Sequence, residues 1–189
     1  MCGKSRPEGT NELNFLSASL LHDPKGLPRP ADPDAAARGR ERWMDGAFHA
    51  DDPNFTEFAH AVASDQAGAA LLDAVFGNSP FLSQCLLADP GFTHALLQGG
   101  PDAALDDLLS DVAAIPPASE IDAIMAALRR ARQQAALAIG IADIAGAWQV
   151  EDVTEALSAF ADAALQAAAA HLLHGAHSTG ELALPYPDE

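Results

Sequence analysis

The amino-acid sequence predicts an all-α fold. Hydrophobic residues make up 49% of the 189 residues, which is ample for a core, and many of them are alanines, which favour helix. Aromatic residues are only 6% and β-branched residues are sparse, which argues against a sheet. We therefore expect a helical bundle built on a long antiparallel helix hairpin, at about 119–146 and 151–173, with shorter helices packed on it.

The positions of the prolines predict how the chain is divided into segments. Prolines at positions 7, 24, 28, 30 and 33 break the first part of residues 1–53 into short pieces. This segment is therefore predicted to be irregular, with short helices at about 15–21 and 35–44. A helical domain is expected over 54–175, and residues 176–189 are expected to form a tail.

Helix starts and stops can be placed within the helical domain. Apolar residues spaced near 3.6 predict a helix over 54–76, which Gly77 is expected to end. Ser79-Pro80 and Asp89-Pro90 each read as an N-cap followed by proline at the first helical position. A further short helix is expected at about 102–113, with a buried stripe of leucine and valine.

The two long helices have their own boundary signals. Ser119 and Asp122 resemble a capping box that opens the first, and Gly146 is expected to end it. The second is expected to begin near Glu151, whose charge complements the positive end of the helix dipole. Its buried side is predicted to consist of Val153, Leu157, Phe160, Ala164, Ala168 and Leu172.

The net charge of the chain limits the kinds of partner that it can bind. A net charge of −17 excludes nucleic acid and disfavours anionic membranes. Seven of the ten Lys and Arg lie in the first 42 residues, and the others are Arg129, Arg130 and Arg132. Two interpretations of these three stay open: ion pairs to the acidic body, or contact with a phosphate or an acidic partner, since arginine suits bidentate recognition.

No metal, disulfide or membrane segment is expected. Cys2 and Cys85 are too few for a disulfide framework, and a buried Cys85 thiol fits a cytoplasmic protein. No run of 18 apolar residues predicts a membrane span, and the N-terminus lacks a signal peptide's apolar core. Two polar groups are interpreted as solvated residues and not as metal ligands: His171, His174 and His177, and Asp106, Asp107 and Asp111.

Several motifs occur together and in order along the chain. They are GNSPFLSQCLLADPGF at 77–92, LRRAR at 128–132, IADIAGAW at 141–148, VEDVTEALSAFADAAL at 150–165 and GELALP at 180–185. Over roughly residues 55–185 the chain resembles the N-terminal half of the glutamine synthetase adenylyltransferase family. The resemblance implies a large bifunctional nucleotidyltransferase that adds AMP from ATP to glutamine synthetase and removes it by phosphorolysis. It also implies magnesium, and PII-type signalling proteins as partners in nitrogen regulation.

The resemblance assigns no catalytic residue to this chain. Catalytic domains of the family carry G-x-x-E-L-N-x-x-S-D-x-D, whose aspartates hold magnesium. The first such motif is expected just beyond Glu189, in a nucleotidyltransferase domain absent from this chain. Residues 12–17 spell E-L-N-x-x-S, but Ala18 and Leu20 stand in place of the aspartates. We therefore expect an N-terminal fragment that binds no cofactor and is inactive alone; the alternative is a free-standing acidic interaction module.

Overall fold

Helices account for most of the described chain. The computed structural model describes residues 16–17, 20, 26–49 and 53–183, and within these ranges it contains helices and no strand. The all-α prediction is therefore confirmed. The helices are α1 (Pro33–His49), α2 (Pro53–Ser64), α3 (Gln66–Asn78), α4 (Pro80–Ala88), α5 (Pro90–Gly99), α6 (Pro101–Ala113), α7 (Ile121–Ile144) and α8 (Val150–Ser178).

Side-chain caps set the short helices as predicted. The Ser79 side chain accepts a hydrogen bond from the backbone N–H of Leu82, and Asp89 accepts one from that of Phe92. Each cap precedes a proline that opens α4 or α5. These two predictions are confirmed, because both dipeptides satisfy helix-end N–H groups and fix the first helical φ angle.

The predicted single helix over 54–76 is wrong, because Asp65 divides it. The Asp65 carboxylate accepts hydrogen bonds from the N–H groups of Ala67 and Gly68 and so starts α3 as a new helix. Gly77 does not end α3, which continues to Asn78. A Cβ at Gly77 would lie 2.2 Å from Pro30, so this glycine lets the segment that precedes α1 pack closely on α3.

The boundaries of α7 and α8 differ from the predictions at two points. Ser119 does not cap α7: its hydroxyl donates to the Pro116 carbonyl, and the N-cap Glu120 makes no side-chain capping bond. The capping box lies instead at the start of α8, between Gln149 and Asp152. α8 also runs to Ser178, five residues beyond the predicted end.

Gly146 ends α7 as predicted, with a φ of +67° in the left-handed region that glycine adopts readily. The five residues 145–149 then connect α7 to α8, and the two helices pack against each other. Their antiparallel arrangement stays a prediction.

One buried cluster joins α1–α5 to α7 and also includes Ala104 of α6. Its largest member is Trp43 of α1, which is 1% exposed and donates its indole N–H to the Ala59 carbonyl of α2. Leu20 is fully buried in the same cluster. α1 packs closely on α3 and therefore shares one core with the helical domain. Most of the predicted short helix at 15–21 and the tail from residue 184 lie outside the described residues.

The second buried cluster joins α6, α7 and α8. Leu105, Leu108 and Val112 of α6 are buried there as predicted. In α8, however, the predicted buried stripe is wrong for Leu157 and Leu172, which are 51% and 67% exposed. The inward side of α8 is made largely of alanine, which fits against α7 and leaves the leucines outside. Its members are Val153, Ala156, Phe160, Ala163 and Ala167.

The exposed side of α8 consequently carries several large apolar residues, which are Val150, Leu157, Leu165, Leu172 and Leu173. By length and composition alone, α8 is the one helix of the described residues that qualifies for crossing a membrane. Only 11% of its 18-residue apolar window is buried within the protein. Alanine supplies much of this apolar character.

Gly39 provides a test of the α1–α3 contact. A Cβ at this position would lie 2.2 Å from Cγ of Phe76, so Gly39→Ala is expected to lower the free energy of unfolding by about 1–3 kcal/mol. Gly46 lies in the same helix, and a Cβ added there would have no neighbour within 4 Å. Gly46→Ala is therefore expected to be neutral or to stabilise by about 0.5–1 kcal/mol. Urea unfolding of both variants measures the difference, and equal effects would contradict the close contact.

Candidate functional site

The candidate site is a cleft between α7 and the α4–α5 pair. α4 lies close to α7 because Gly140 lacks a side chain: a Cβ there would be 2.8 Å from Cδ1 of Leu82. The Asp89 cap fixes where α4 ends and α5 begins. Sequence signals at these positions therefore set the walls of the cleft.

The cleft has a volume of about 280 Å³ and a mixed lining. Its apolar side is formed by Cys85, Ala88, Phe92, Ala126 and Leu137. Its polar side is formed by Asp89, Arg129, Arg130, Gln133 and Gln134. A ligand here would meet two guanidinium groups beside an apolar surface.

Two of the three predicted arginines line this cleft. Arg129 and Arg130 lie on its α7 wall, whereas Arg132 is outside the lining, one turn along the helix from Arg129. All three are exposed, and none forms an ion pair with a described residue. The described residues therefore supply no ion pair that would neutralise the three arginines, and both interpretations of them stay predictions.

The carboxylate in the cleft lining is already engaged. Asp89 Oδ1 accepts from the Phe92 N–H at 3.1 Å, and Oδ2 accepts from the Gln134 side-chain amide at 2.8 Å. It therefore holds α5 and α7 together while the two arginines face outward. The sequence indicates only a capping role for Asp89, because no local pattern reveals a bond to a residue 45 positions away.

Arg132 acts on the apolar side of the site through charge. Burial raises the pKa of the Cys85 thiol above its ordinary value of 9.0, and the nearby Arg132 charge partly opposes this rise. Cys85 is a free, buried thiol, as predicted. Because the thiol ionises more readily in the unfolded chain, this group lowers stability as the pH rises above about 9.

Replacing Arg132 by glutamine is expected to raise the Cys85 pKa further and to slow its alkylation. Only the thiolate reacts, so the rate at pH 8.5 should fall by roughly twofold to tenfold in a Cys2→Ser background. Iodoacetamide labelling followed by mass spectrometry measures it. Arg29→Gln serves as the control, and an equal rate in the Arg132 variant and the parent would contradict the electrostatic contact.

No metal site accompanies the cleft in the described part of the chain, which contains no group of three or more His, Cys, Asp or Glu able to hold an ion. Two of the three histidines singled out above contact backbone carbonyl oxygens. Nδ1 of His171 lies 3.0 Å from the carbonyl oxygen of Pro117, and Nδ1 of His177 lies 3.1 Å from that of Leu182. The three aspartates of α6 singled out above are exposed.

Together these features define a class: an all-α protein whose described residues present a basic cleft on an otherwise acidic helical body. Comparison with known proteins supplies the family. The model of the family described as Glutamate-ammonia ligase adenylyltransferase matches residues 69–188. The chain belongs to the glutamate–ammonia ligase adenylyltransferase family.

Curated relatives agree with this assignment. The chain is 37% identical over 118 residues to a bifunctional glutamine synthetase adenylyltransferase/adenylyl-removing enzyme of Rhodopseudomonas palustris. It is 43% identical over 104 residues to that of Xanthobacter autotrophicus, and 31% identical over 150 residues to that of Mesorhizobium japonicum. The matches cover 62%, 55% and 78% of this chain, but 12%, 10% and 15% of the relatives. No solved structure matches the chain significantly.

Proposed function

We propose that this chain is a helical, non-catalytic region of a glutamine synthetase adenylyltransferase, and that its basic cleft contacts an anionic surface of glutamine synthetase. The observation that carries the proposal is the family match over residues 69–188, which includes the cleft and all three arginines. The curated relatives are named for action on glutamine synthetase.

The geometry of the arginines supports contact with an anion. Arg129 and Arg130 are exposed, are adjacent on α7 and have no ion-pair partner among the described residues. A guanidinium group presents planar, paired N–H donors that match carboxylate and phosphate oxygens. In a protein with a net charge of −17, these groups form a local site at which an acidic partner is attracted and not repelled.

Catalysis is assigned to other parts of such an enzyme. In E-L-N-x-x-S at residues 12–17, the following positions Ala18 and Leu20 lack the carboxylates that would bind magnesium. ATP and magnesium are therefore proposed to bind outside this chain. A PII-type signalling protein as second partner, and a cytoplasmic location, complete the proposal.

An activity assay tests the non-catalytic role. The chain is incubated with adenylylated glutamine synthetase, phosphate and magnesium, and ADP is quantified by chromatography. We expect no ADP above a no-protein control, and a full-length relative serves as the positive control. ADP release that scales with the concentration of the chain would overturn the assignment.

A pull-down separates the proposal from the alternative of a free-standing interaction module. The immobilised chain is challenged with purified glutamine synthetase and, separately, with a purified PII-type protein. Retention of glutamine synthetase supports the proposed function, whereas retention of neither protein supports the alternative.

A further inference from the structure

The outward side of α8 carries an apolar stripe with an unusual regularity. Its members are Val150, Thr154, Leu157, Ala161, Leu165, Ala168 and Leu172. Successive spacings are 4, 3, 4, 4, 3 and 4, which is an eleven-residue repeat of 3.67 residues per turn. Such a repeat keeps all seven positions on one face of a nearly straight helix.

Most of the stripe is exposed, although six of its seven residues are apolar. Val150, Leu157, Leu165 and Leu172 are 67%, 51%, 68% and 67% exposed. Exposed apolar patches of this extent mark interaction surfaces. The side of α8 that packs on α6 and α7 lies about 120° around the helix from the stripe, so these contacts leave most of the stripe uncovered.

The order of residues in the stripe is symmetrical about Ala161. Val150 and Leu172 each lie eleven positions from it, and Leu157 and Leu165 each lie four positions from it. Thr154 and Ala168 lie seven positions away and are both small. A two-fold axis through Ala161 would therefore pair large residues with large ones and small with small, which is the self-complementarity that an isologous interface requires.

We propose that α8 pairs antiparallel with α8 of a second copy of this chain, with the two Ala161 residues at the two-fold axis. This inference is independent of the proposed function. The small side chain at the centre allows the helix axes to approach to about 8 Å, and antiparallel helix dipoles attract each other.

Charges on α8 are compatible with this register. α8 contains no Lys or Arg, and its carboxylates are Glu151, Asp152, Glu155 and Asp162. The antiparallel register places the first three opposite residues 167–171 of the second copy, a segment without carboxylates. Asp162 lies nearer the axis but projects about 100° around the helix from Ala161, away from the centre of the contact. In a parallel pairing, each carboxylate would instead lie beside the same carboxylate of the second copy, and the two negative charges would repel each other.

The size of the contact predicts its strength. The stripe is about 33 Å long and one helix wide, which lies at the lower end of stable interfaces, around 1,200 Å² in total. We expect a reversible dimer with a dissociation constant in the micromolar range. Because each copy has a net charge of −17, salt should strengthen the dimer by screening their repulsion.

Sedimentation velocity over about 1–200 μM protein tests the association. The wild-type chain should show a dimer fraction that grows with concentration and with salt. Ala161→Glu and Leu165→Asp should each raise the dissociation constant at least tenfold, with unchanged helix content because both residues are exposed. A wild-type chain that stays monomeric throughout, or a dimer that survives both substitutions, would overturn the proposal.

Crosslinking tests the register. In a background of Cys2→Ser and Cys85→Ala, Ala161→Cys should crosslink to its own copy with a short bismaleimide. Thr154→Cys should not, because its copy would lie about 21 Å away in the antiparallel register. Equal crosslinking at both positions would indicate parallel helices and reject the proposal, as would binding of α8 to neutral lipid vesicles in place of dimer formation.

Discussion

Replacing Trp43 by alanine is expected to lower the free energy of unfolding by about 3–5 kcal/mol. Trp43 is 1% exposed, packs edge-on against Phe55 with ring centroids 5.7 Å apart, and donates to the Ala59 carbonyl at 3.0 Å. The substitution would leave a large cavity between α1 and α2 and would remove the hydrogen bond from the indole to the Ala59 carbonyl. A domain of this size is stable by only about 5–15 kcal/mol, so the loss should be conspicuous.

The second tryptophan provides a matched control. Trp148 is half-buried, packs on the α6–α8 cluster and donates to Asp102 at 3.1 Å in an exposed hydrogen bond. Trp148→Ala is expected to cost about 1–2 kcal/mol. Urea unfolding followed by circular dichroism measures both variants. Equal losses would contradict the predicted difference between the two sites, and a neutral Trp43→Ala would contradict the burial of Trp43 in the core.

Reversing the charge of Arg129, Arg130 and Arg132 to Glu is expected to weaken binding to glutamine synthetase at least 100-fold. The change removes the guanidinium donors from the cleft and puts carboxylates in their place, so an anionic partner is repelled. Because the three side chains are exposed, the variant should keep the helix content of the parent. Biolayer interferometry against immobilised glutamine synthetase measures the affinity.

The control for this variant carries the same net charge. Arg29, Arg38 and Arg42 are also exposed, and changing all three to Glu likewise takes the net charge from −17 to −23. The affinity of this variant should fall less than about tenfold, because the cleft is unchanged and only the added net negative charge of the chain repels the anionic partner. If the two triple variants weaken binding equally, the cleft is not the contact.

Local sequence signals predicted those parts of the fold that local chemistry sets. The caps at Ser79 and Asp89 and the left-handed turn at Gly146 each depend on a few neighbouring residues, and all three are confirmed. The break at Asp65 was missed because the apolar spacing continues across it. In α8, Val153 and Phe160 face the core as predicted, but Leu157 and Leu172 do not, because periodicity identifies an apolar side without fixing how the helix is rotated against the core. Where alanine lines the inner side, the larger residues point outward.

The candidate site was predictable only in part. The three arginines were evident as isolated cations in an acidic chain. The cleft beside two of them requires the approach of α4 to α7 at Gly140 and the bond between Asp89 and Gln134. Both are tertiary contacts between positions far apart in sequence, which an amphipathic pattern does not encode.

Titration of purified glutamine synthetase with the wild-type chain tests most directly whether the basic cleft contacts that enzyme. Isothermal calorimetry at about 50 mM and about 300 mM salt would measure the affinity. We expect a saturable complex at low salt whose affinity falls as salt increases, because charge-paired contacts are screened. The absence of binding at about 100 μM chain, or an affinity that does not change with salt, would contradict the proposed contact.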